Sequence, residues 1–235
     1  MKSRLIIGVV FLFAFSFVKV CAEIITAESG SQPDLQSAVD SAKTGDTVQV
    51  PAGNFQFSGS VRFNTGITLT GTGDSLTTLS KTGNTTEALI IVDGSNGLPV
   101  TVTGITFVGI DNETTDIQDN GLRINNCKNF RVYNCTFRRF GFSGIMVCGD
   151  TRGVIDHCKF IENYRLPINS LGYGIAIYGD GDVSWNKPLE LGTENAVFVE
   201  DCYFEHCRHG VASNDGSKYV FRYNTVTDNM IVRKI

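Results

Sequence analysis

Hydrophobic residues recur along most of the chain in short alternating runs that are separated by turn residues. Five three-residue phrases recur, and their last residues are 30, 23, 44 and 22 positions apart: Ile105-Thr106-Phe107, Cys135-Thr136-Phe137, Cys158-Lys159-Phe160, Cys202-Tyr203-Phe204 and Asn224-Thr225-Val226. An apolar residue lies three positions before each phrase. The pattern predicts a structural repeat of about 22 to 23 residues with insertions in two places.

A second phrase recurs within the same repeats and consists of a glycine followed by alternating apolar positions. It occurs as Gly121-Leu122-Arg123-Ile124, Gly144-Ile145-Met146-Val147, Gly174-Ile175-Ala176-Ile177 and Gly210-Val211-Ala212-Ser213. Each repeat therefore contains several short strands joined by turns at fixed places. Such strands cannot build a core within one repeat, so successive repeats must stack with equivalent positions about 4.8 Å apart. The sequence predicts an all-β solenoid.

One amphipathic helix is predicted ahead of the repeats, over residues 32–42. Pro33 suits a first turn and Gly45 a helix stop, and the apolar stripe of the helix consists of Leu35, Ala38, Val39 and Ala42. An alternating strand and a Pro/Gly turn follow at residues 45–53. We expect residues 23–53 to cap one end of the stack and residues 54–235 to form its coils.

The N-terminus has the pattern of an export signal. Lys2 and Arg4 precede a long apolar run, and small residues end the segment at Ala22. This pattern predicts a signal peptide at residues 1–22 and a secreted, cell-envelope or periplasmic protein, with no membrane span. Its removal lowers the formal net charge from −4 to −7, which argues against a nucleic-acid partner.

Six cysteines follow the signal segment, all between Cys127 and Cys207. An even number in an exported chain is typical of disulfides. Cys135, Cys158 and Cys202, however, occupy one position of the repeat, and Asn224 replaces them in the last one. Parallel side chains in neighbouring coils do not easily reach disulfide geometry. We therefore expect a column of buried, reduced thiols, with disulfides as the alternative.

The cap pattern and the repeated Asn-Cys-Thr-Phe phrase resemble the pectin-lyase-like superfamily. The resemblance covers roughly residues 31–229, including Asp34-Leu35-Gln36-Ser37-Ala38-Val39. It implies an all-β, right-handed parallel β-helix (solenoid) with an N-terminal capping helix. Members of this superfamily include pectate and alginate lyases, polygalacturonases, tailspikes and surface proteins, so the fold alone does not name a function.

Two columns of polar residues precede the cysteine column and should face outward. The first contains Tyr133, Asp156, Glu200 and Arg222, and the second contains Asn134, His157, Asp201 and Tyr223. Stacking would bring Asp156, Glu200 and Asp201 together, and clustered carboxylates are the ligands that Ca²⁺ prefers. The alternative interpretation is an ordinary ladder of surface salt bridges, which contributes little to stability.

A second candidate surface follows the glycine-containing strands. A sugar chain is predicted to lie on this surface, with Tyr173 or Tyr178 as a stacking face and Arg208, His209 and Asp180 as polar walls. Trp185 is a further candidate for sugar binding, and the alternative is an aromatic side chain that only closes its own loop. Trp185 lies in a long insertion at residues 179–195. Long loops over a rigid scaffold often carry binding residues.

The stretch from Gly210 to Thr225 resembles the corresponding part of the alginate lyase and chondroitinase B group. That resemblance implies a Glu, a Lys and an Arg, but this chain has Gly210 and Asp215 at the first two places and Arg222 near the third. Arg222, His209 and Arg208 are the candidate catalytic residues, because a basic residue removes the uronate C5 proton in β-elimination.

These observations favour an extracellular protein that binds an acidic polysaccharide and cleaves it by β-elimination. The alternatives are a non-catalytic surface or adhesive β-helix and a glycoside hydrolase of the same fold. The last repeat ends near Val226, and the few residues beyond it cannot supply a second cap. We therefore expect further C-terminal coils or a partner at that end.

Overall fold

The protein folds as a parallel β-helix in which three sheets run along one axis. The structure is a computed structural model, and it describes residues 22–94, 97–110, 116–165, 171–181, 186 and 196–228. The predicted signal segment, Asp182, Trp185 and residues 229–235 lie outside the described residues, apart from Ala22. Among the described residues, no helix is long and apolar enough to cross a membrane.

Each complete coil contributes one strand to each sheet, and all the strand pairs in the described part are parallel. Sheet A consists of β1 (Ile24–Thr26), β2 (Thr47–Gln49), β5 (Thr68–Thr70), β8 (Val100–Thr103), β11 (Phe130–Tyr133), β14 (Gly153–Asp156), β17 (Val197–Glu200) and β20 (Tyr219–Arg222). Sheet B consists of β3 (Gly53–Phe57), β6 (Thr77–Lys81), β9 (Thr106–Val108), β12 (Thr136–Arg138), β15 (Lys159–Ile161), β18 (Tyr203–Glu205) and β21 (Thr225–Thr227). Sheet C consists of β4 (Val61–Phe63), β7 (Ile90–Asp93), β10 (Asn120–Asn125), β13 (Ser143–Cys148), β16 (Tyr173–Tyr178) and β19 (His209–Asn214).

The predicted repeat alignment matches the strand register. Phe107, Phe137, Phe160 and Phe204 are consecutive partners across sheet B. Their rings stack nearly parallel, with centroids 4.7, 5.4 and 4.8 Å apart, and all four are fully buried. The aromatic column forms one wall of the core, because coil stacking superposes identical side chains at the strand spacing.

The cysteine column is confirmed as buried and unpaired. The thiols of Cys135, Cys158 and Cys202 each donate to a backbone carbonyl of the preceding coil, at Sγ–O distances of 3.8, 3.6 and 3.6 Å. All six cysteines of the described residues are free. Asn224 continues the column, since its Nδ2 donates to the carbonyl of Val199 over 2.9 Å. A small polar side chain at this position therefore satisfies the backbone of the neighbouring coil.

The helix α1 (Gln32–Ser41) covers the N-terminal end of the stack. It ends one residue before the predicted Ala42, which is the C-cap, and the predicted apolar stripe is buried. Gln32 and Gln36 bond to the backbone just before β4 and within it: Gln32 accepts from the Gly59 N–H and Gln36 from the Arg62 N–H. These side chains satisfy the backbone of an edge strand that would otherwise be unpaired. The segment 23–53 also supplies the first two strands of sheet A.

The last described coil exposes apolar side chains. Phe221 and Val226 are exposed, whereas the equivalent residues of the preceding coil, Val199 and Phe204, are fully buried. Covering of this surface by further coils or a partner stays a prediction.

Candidate functional site

The turn between sheets A and B is formed by a column of residues whose backbone has the left-handed conformation. Asn134, His157, Asp201 and Tyr223 have φ values of 51°, 52°, 51° and 59°. Each directly precedes the cysteine column, and all four are exposed, as the repeat predicted. Outside glycine, left-handed backbone is uncommon and is several-fold enriched in Asn, Asp and His. The tight turn points the next side chain inward and leaves the column on the surface.

A groove of 740 Å³ runs along this turn across five successive coils, a length of about 19 Å. One side is formed by the turn from Gly71 to Asp74, which lies against the later coils through contacts of Asp74. The other lining side chains come from the columns on either side of the cysteines and include Tyr133, Asn134, His157, Lys159, Asp201 and Tyr203. Most of the lining side chains are therefore polar, and two of them are tyrosines.

Lys159 and Tyr203 occupy neighbouring coils at the same strand position, so both side chains leave sheet B on the groove side. The ammonium of Lys159 lies 3.5 Å from an Asp74 carboxylate oxygen, and the lysine side chain is exposed. Thr136, the partner of Lys159 in the preceding coil, donates to the same carboxylate over 3.2 Å. Asp74 therefore holds the wall of the groove to sheet B.

Asp156 is bound by two cationic or proton-donating side chains at the edge of the groove. Arg131 donates from Nε and from an η nitrogen to the two carboxylate oxygens, over 2.9 and 2.8 Å. The Nδ1 atom of His157 lies 2.9 Å from Oδ2 of Asp156. Burial of Asp156 raises its pKa, but the hydrogen bonds from Arg131 and His157 outweigh this effect and hold the pKa below its usual value. The carboxylate is therefore ionised at neutral pH.

Glu200 and Arg222 are the next two members of the same column, as the repeat predicted. The guanidinium of Arg222 donates to Oε1 of Glu200 over 2.7 Å. It also lies 5.6 Å from the ring centroid of Phe198 and 5.5 Å from that of Tyr223. Arg222 is thus held by one carboxylate and two aromatic rings, and it does not line the groove described above.

The three carboxylates predicted to bind calcium do not form a cation site in this arrangement. The prediction of one surface patch is wrong for Asp156, whose side chain is only 6% exposed and is bound by Arg131. Glu200 is bound by Arg222, and Asp201 lies one residue further along the turn. In the described ranges, no group of three or more His, Cys, Asp or Glu side chains could hold a metal ion. Calcium dependence of the protein stays a prediction, and these three carboxylates do not supply the site for it.

The predicted sugar-stacking surface on sheet C is partly closed. Tyr173 is 9% exposed, with Phe142 against it at 5.8 Å in an edge-to-face contact. Arg208 donates to the Tyr173 hydroxyl over 3.5 Å, and the ring of His209 lies 5.6 Å from that of Tyr173. The prediction of Tyr173 as an open stacking face is wrong, because neighbouring side chains cover the ring.

Burial, and then the charge of Arg208, lower the pKa of His209. His209 is therefore neutral at neutral pH and is the register partner of Tyr173 in the next coil. Arg208, Tyr173 and His209 form one contact cluster. A catalytic role of Arg208 and His209 stays a prediction.

Buried residues separate the remaining side chains that were predicted to form this surface. Tyr178 is partly exposed, and burial and then the neighbouring Tyr173 raise the pKa of its phenol. Asp180 is exposed and lies two residues after the end of β16. Ala176, which lies in the same strand between Tyr173 and Tyr178, is 0% exposed. Trp185 lies outside the described residues.

Sequence reasoning placed His157 in an outward column but missed Asp74, Lys159 and Tyr203 as groove residues. Lys159 and Tyr203 follow from the same alignment, because the residue after each cysteine points away from the core. Asp74 carries no such signal, since it lies 85 residues before Lys159 and belongs to a turn outside the repeated phrases.

Comparison with known proteins places the chain in a fold family. Residues 65–232 match the family described as the right handed beta helix region. The chain therefore belongs to that family. A search of curated protein sequences finds no match.

Solved structures with the same fold include a viral protein and two lyases. The chain is similar to ORF18 of Geobacillus virus E2, with a TM-score of 0.64, 16% identity and coverage of 86% of this chain and 40% of that chain. It is also similar to an alginate lyase from Paenibacillus sp. str. FPU-7, with a TM-score of 0.56, 16% identity and coverage of 86% and 75%. A PL6 family alginate lyase, AlyGC, gives a TM-score of 0.45, 13% identity and coverage of 88% and 39%, too low to carry an argument. At these identities the similarity shows the fold alone.

Proposed function

We propose that the protein is an extracellular polysaccharide-binding protein that holds an extended acidic chain in the groove between sheets A and B, and that β-elimination is its reaction. The observation that carries the proposal is the 740 Å³ groove across five coils, which contains two tyrosines among polar side chains. A groove of this length along a rigid stack suits an extended polymer, and tyrosine rings provide faces for sugar rings.

The preference for an acidic chain rests on the cations at the groove. Lys159 lies within the lining, and the guanidinium of Arg131 lies 4.5 Å from the ring centroid of Tyr133. Both cationic side chains are more than half exposed, so they can pair with carboxylates of a bound polymer. The carboxylates of Asp74 and Asp201 also line the groove and repel an acidic polymer in part. We therefore expect selectivity for acidic chains to come from ion pairs between the two cationic side chains and carboxylates of the bound polymer. One protein with the same fold is named as an alginate lyase, which supports alginate as one of the polymers to test.

The binding proposal is tested by calorimetry with polyuronates and with neutral polysaccharides of similar length. Lys159→Ala and Tyr203→Ala should each weaken polyuronate binding roughly 5- to 30-fold, the effect of losing about 1–2 kcal/mol of contact. Lys128→Ala is the matched control, because Lys128 is also a half-exposed lysine paired with a carboxylate, Asp150, but lies at another turn. Equal effects of the lysine variants, or no binding by the unaltered protein, would contradict the groove as the binding site.

Cleavage is assayed on the same polymers by the ultraviolet absorbance of the unsaturated product. Binding without product is the result expected of a non-catalytic surface or adhesive protein, and it would remove β-elimination from the proposal.

The extracellular location is proposed from the N-terminal segment, in which Lys2 and Arg4 precede the apolar run and Ala22 ends it. Expression of the full chain in a secreting host, followed by N-terminal sequencing of the exported protein, should find Glu23 first. Retention of the uncut chain inside the cell would contradict export.

A further inference from the structure

The pair formed by His157 and Asp156 has the geometry of an oriented proton acceptor at the edge of the groove. Nδ1 of His157 lies 2.9 Å from Oδ2 of Asp156, and Arg131 donates to both oxygens of the same carboxylate. We infer that His157 is the general base of the groove and that Asp156, fixed by Arg131, is its positioning residue. This inference rests on the proposed function, because it assigns the residues that would perform the reaction.

The ionised state of Asp156 determines which nitrogen of His157 carries the proton. A carboxylate only accepts hydrogen bonds, so Nδ1 must be the donor in this contact. In the neutral imidazole the lone pair then lies on Nε2. The two hydrogen bonds from Arg131 occupy both carboxylate oxygens and keep the carboxylate from rotating away. Asp156 thereby fixes both the tautomer and the ring orientation.

His157 is accessible to a ligand, whereas its partner is not. Its side chain is 61% exposed and lines the groove, while the side chain of Asp156 is 6% exposed. Along the same turn, His157 lies between Asn134 and Asp201, and Lys159 follows two residues later on the groove side. The arrangement combines a nearly buried carboxylate, an exposed imidazole and, two residues further along the chain, an ammonium group.

The proton transfer is written for a polyuronate bound in the groove. Nε2 of His157 takes the C5 proton of a uronate residue. The C–H electron pair forms the C4=C5 double bond, and the bond between C4 and the glycosidic oxygen breaks. Water in the open groove protonates the leaving oxygen, and His157 then returns its proton to the solvent. Lys159 pairs with the uronate carboxylate and stabilises the charge that develops next to C5.

The chain supplies a matched pair of variants for the test. His157→Asn places an asparagine in a left-handed position, as the chain itself does at Asn134. His206→Asn is the control, because His206 also has left-handed backbone, with φ of 53°, and lies 3.1 Å from a carboxylate of Asp228, but does not line the groove. Both variants make the same chemical change in the same backbone conformation.

Polyuronate binding and cleavage are measured on the unaltered protein and both variants. We expect His157→Asn to reduce the rate of cleavage about 100-fold or more while binding persists, and His206→Asn to leave both unchanged. Cleavage by His157→Asn at the unaltered rate, or binding by the unaltered protein without cleavage, would overturn the inference and leave the binding proposal intact. Absence of binding would remove the proposed function and this inference with it.

A second readout does not depend on activity. Nitrogen NMR of the imidazoles should show His157 with its proton on Nδ1 in the unaltered protein, and a mixture of tautomers in Asp156→Asn, whose amide can donate or accept. Circular dichroism of Asp156→Asn checks that the coils remain folded. A proton on Nε2 in the unaltered protein would overturn the orientation of the pair and the inference with it.

Discussion

The inward and outward columns at the turn between sheets A and B belong to the same coils but differ in how much their side chains vary from coil to coil. The inward column repeats one residue, with Cys135, Cys158 and Cys202 buried in identical contacts. The outward column immediately before it has Asn134, His157 and Asp201, which share only a left-handed backbone. Stacking gives every inward position the same neighbours, so one side chain suits all coils. An outward position must only permit the turn, so its side chain is available for chemistry.

The two kinds of column should therefore differ in what their substitution changes. Inward substitutions should change stability and leave the groove residues chemically intact. Substitutions of outward residues that are exposed should change binding or reaction and leave stability nearly unchanged. The following experiments test this difference, from the largest expected effect on stability to the smallest.

Phe160→Ala should give the largest loss of stability. The Phe160 ring is fully buried between Phe137 and Phe204, at centroid distances of 5.4 and 4.8 Å. Removing a buried phenyl group costs about 3–5 kcal/mol, because transfer energy is lost and a cavity remains. Lys159→Ala, one residue earlier and exposed, should cost under about 0.5 kcal/mol. Urea unfolding of both variants measures the difference, and equal losses would contradict it.

Gly144→Ala should cost about 1–3 kcal/mol through overpacking. A Cβ atom at this position would lie 2.7 Å from Cβ of Phe137 and 2.9 Å from the carbonyl oxygen of Gly174. Gly210→Ala is the control, because in that coil the nearest atom, on Phe204, would lie 3.6 Å away. Thermal unfolding of both variants should show a lower transition temperature for Gly144→Ala alone. A similar drop for Gly210→Ala would point to a general cost of replacing glycine in this column.

Asp156→Asn should reduce stability by about 2 kcal/mol at neutral pH, since charge-assisted hydrogen bonds to a nearly buried carboxylate are lost. The pKa of Asp156 is lower in the folded protein, so its stabilising contribution is present above the unfolded value of about 3.9 and is lost as the pH falls through the folded value. The stability difference between the two proteins should therefore shrink below about pH 4. Urea unfolding at neutral and acidic pH measures it, and a difference independent of pH would contradict the cited cause.

Thiol labelling should separate the cysteines without changing stability. Cys148 is partly exposed, whereas the other five described cysteines are buried, and burial raises the pKa of Cys207 to about 12. Brief alkylation of the native protein without residues 1–22 should modify Cys148 first, and unfolding should make all six reactive. Mass spectrometry identifies the modified residues. Paired cysteines in the unreduced protein would contradict the stacked-thiol column.

The inward architecture was predictable from the sequence to within a residue or two. The phrases ending at Phe137, Phe160 and Phe204 gave the correct register, and the helix was predicted at 32–42 and found at Gln32–Ser41. Small errors at helix ends are expected, because the last turn is held by few hydrogen bonds. The site was predicted less well. The expected calcium ligands Asp156 and Glu200 each pair with an arginine of a neighbouring coil.

The sequence by itself determined which residues are inward, because alternation along each strand and the repeat between coils both mark them. Only the tertiary structure decided which outward residues meet. Asp74 reaches Lys159 across 85 residues, and Arg131 orients the carboxylate that holds His157 in the next coil. These contacts depend on the lengths of insertions and on the path of each turn, which a local pattern does not record. The periodicity of the sequence therefore predicts the core. The groove depends instead on which turns lie side by side once the coils are stacked.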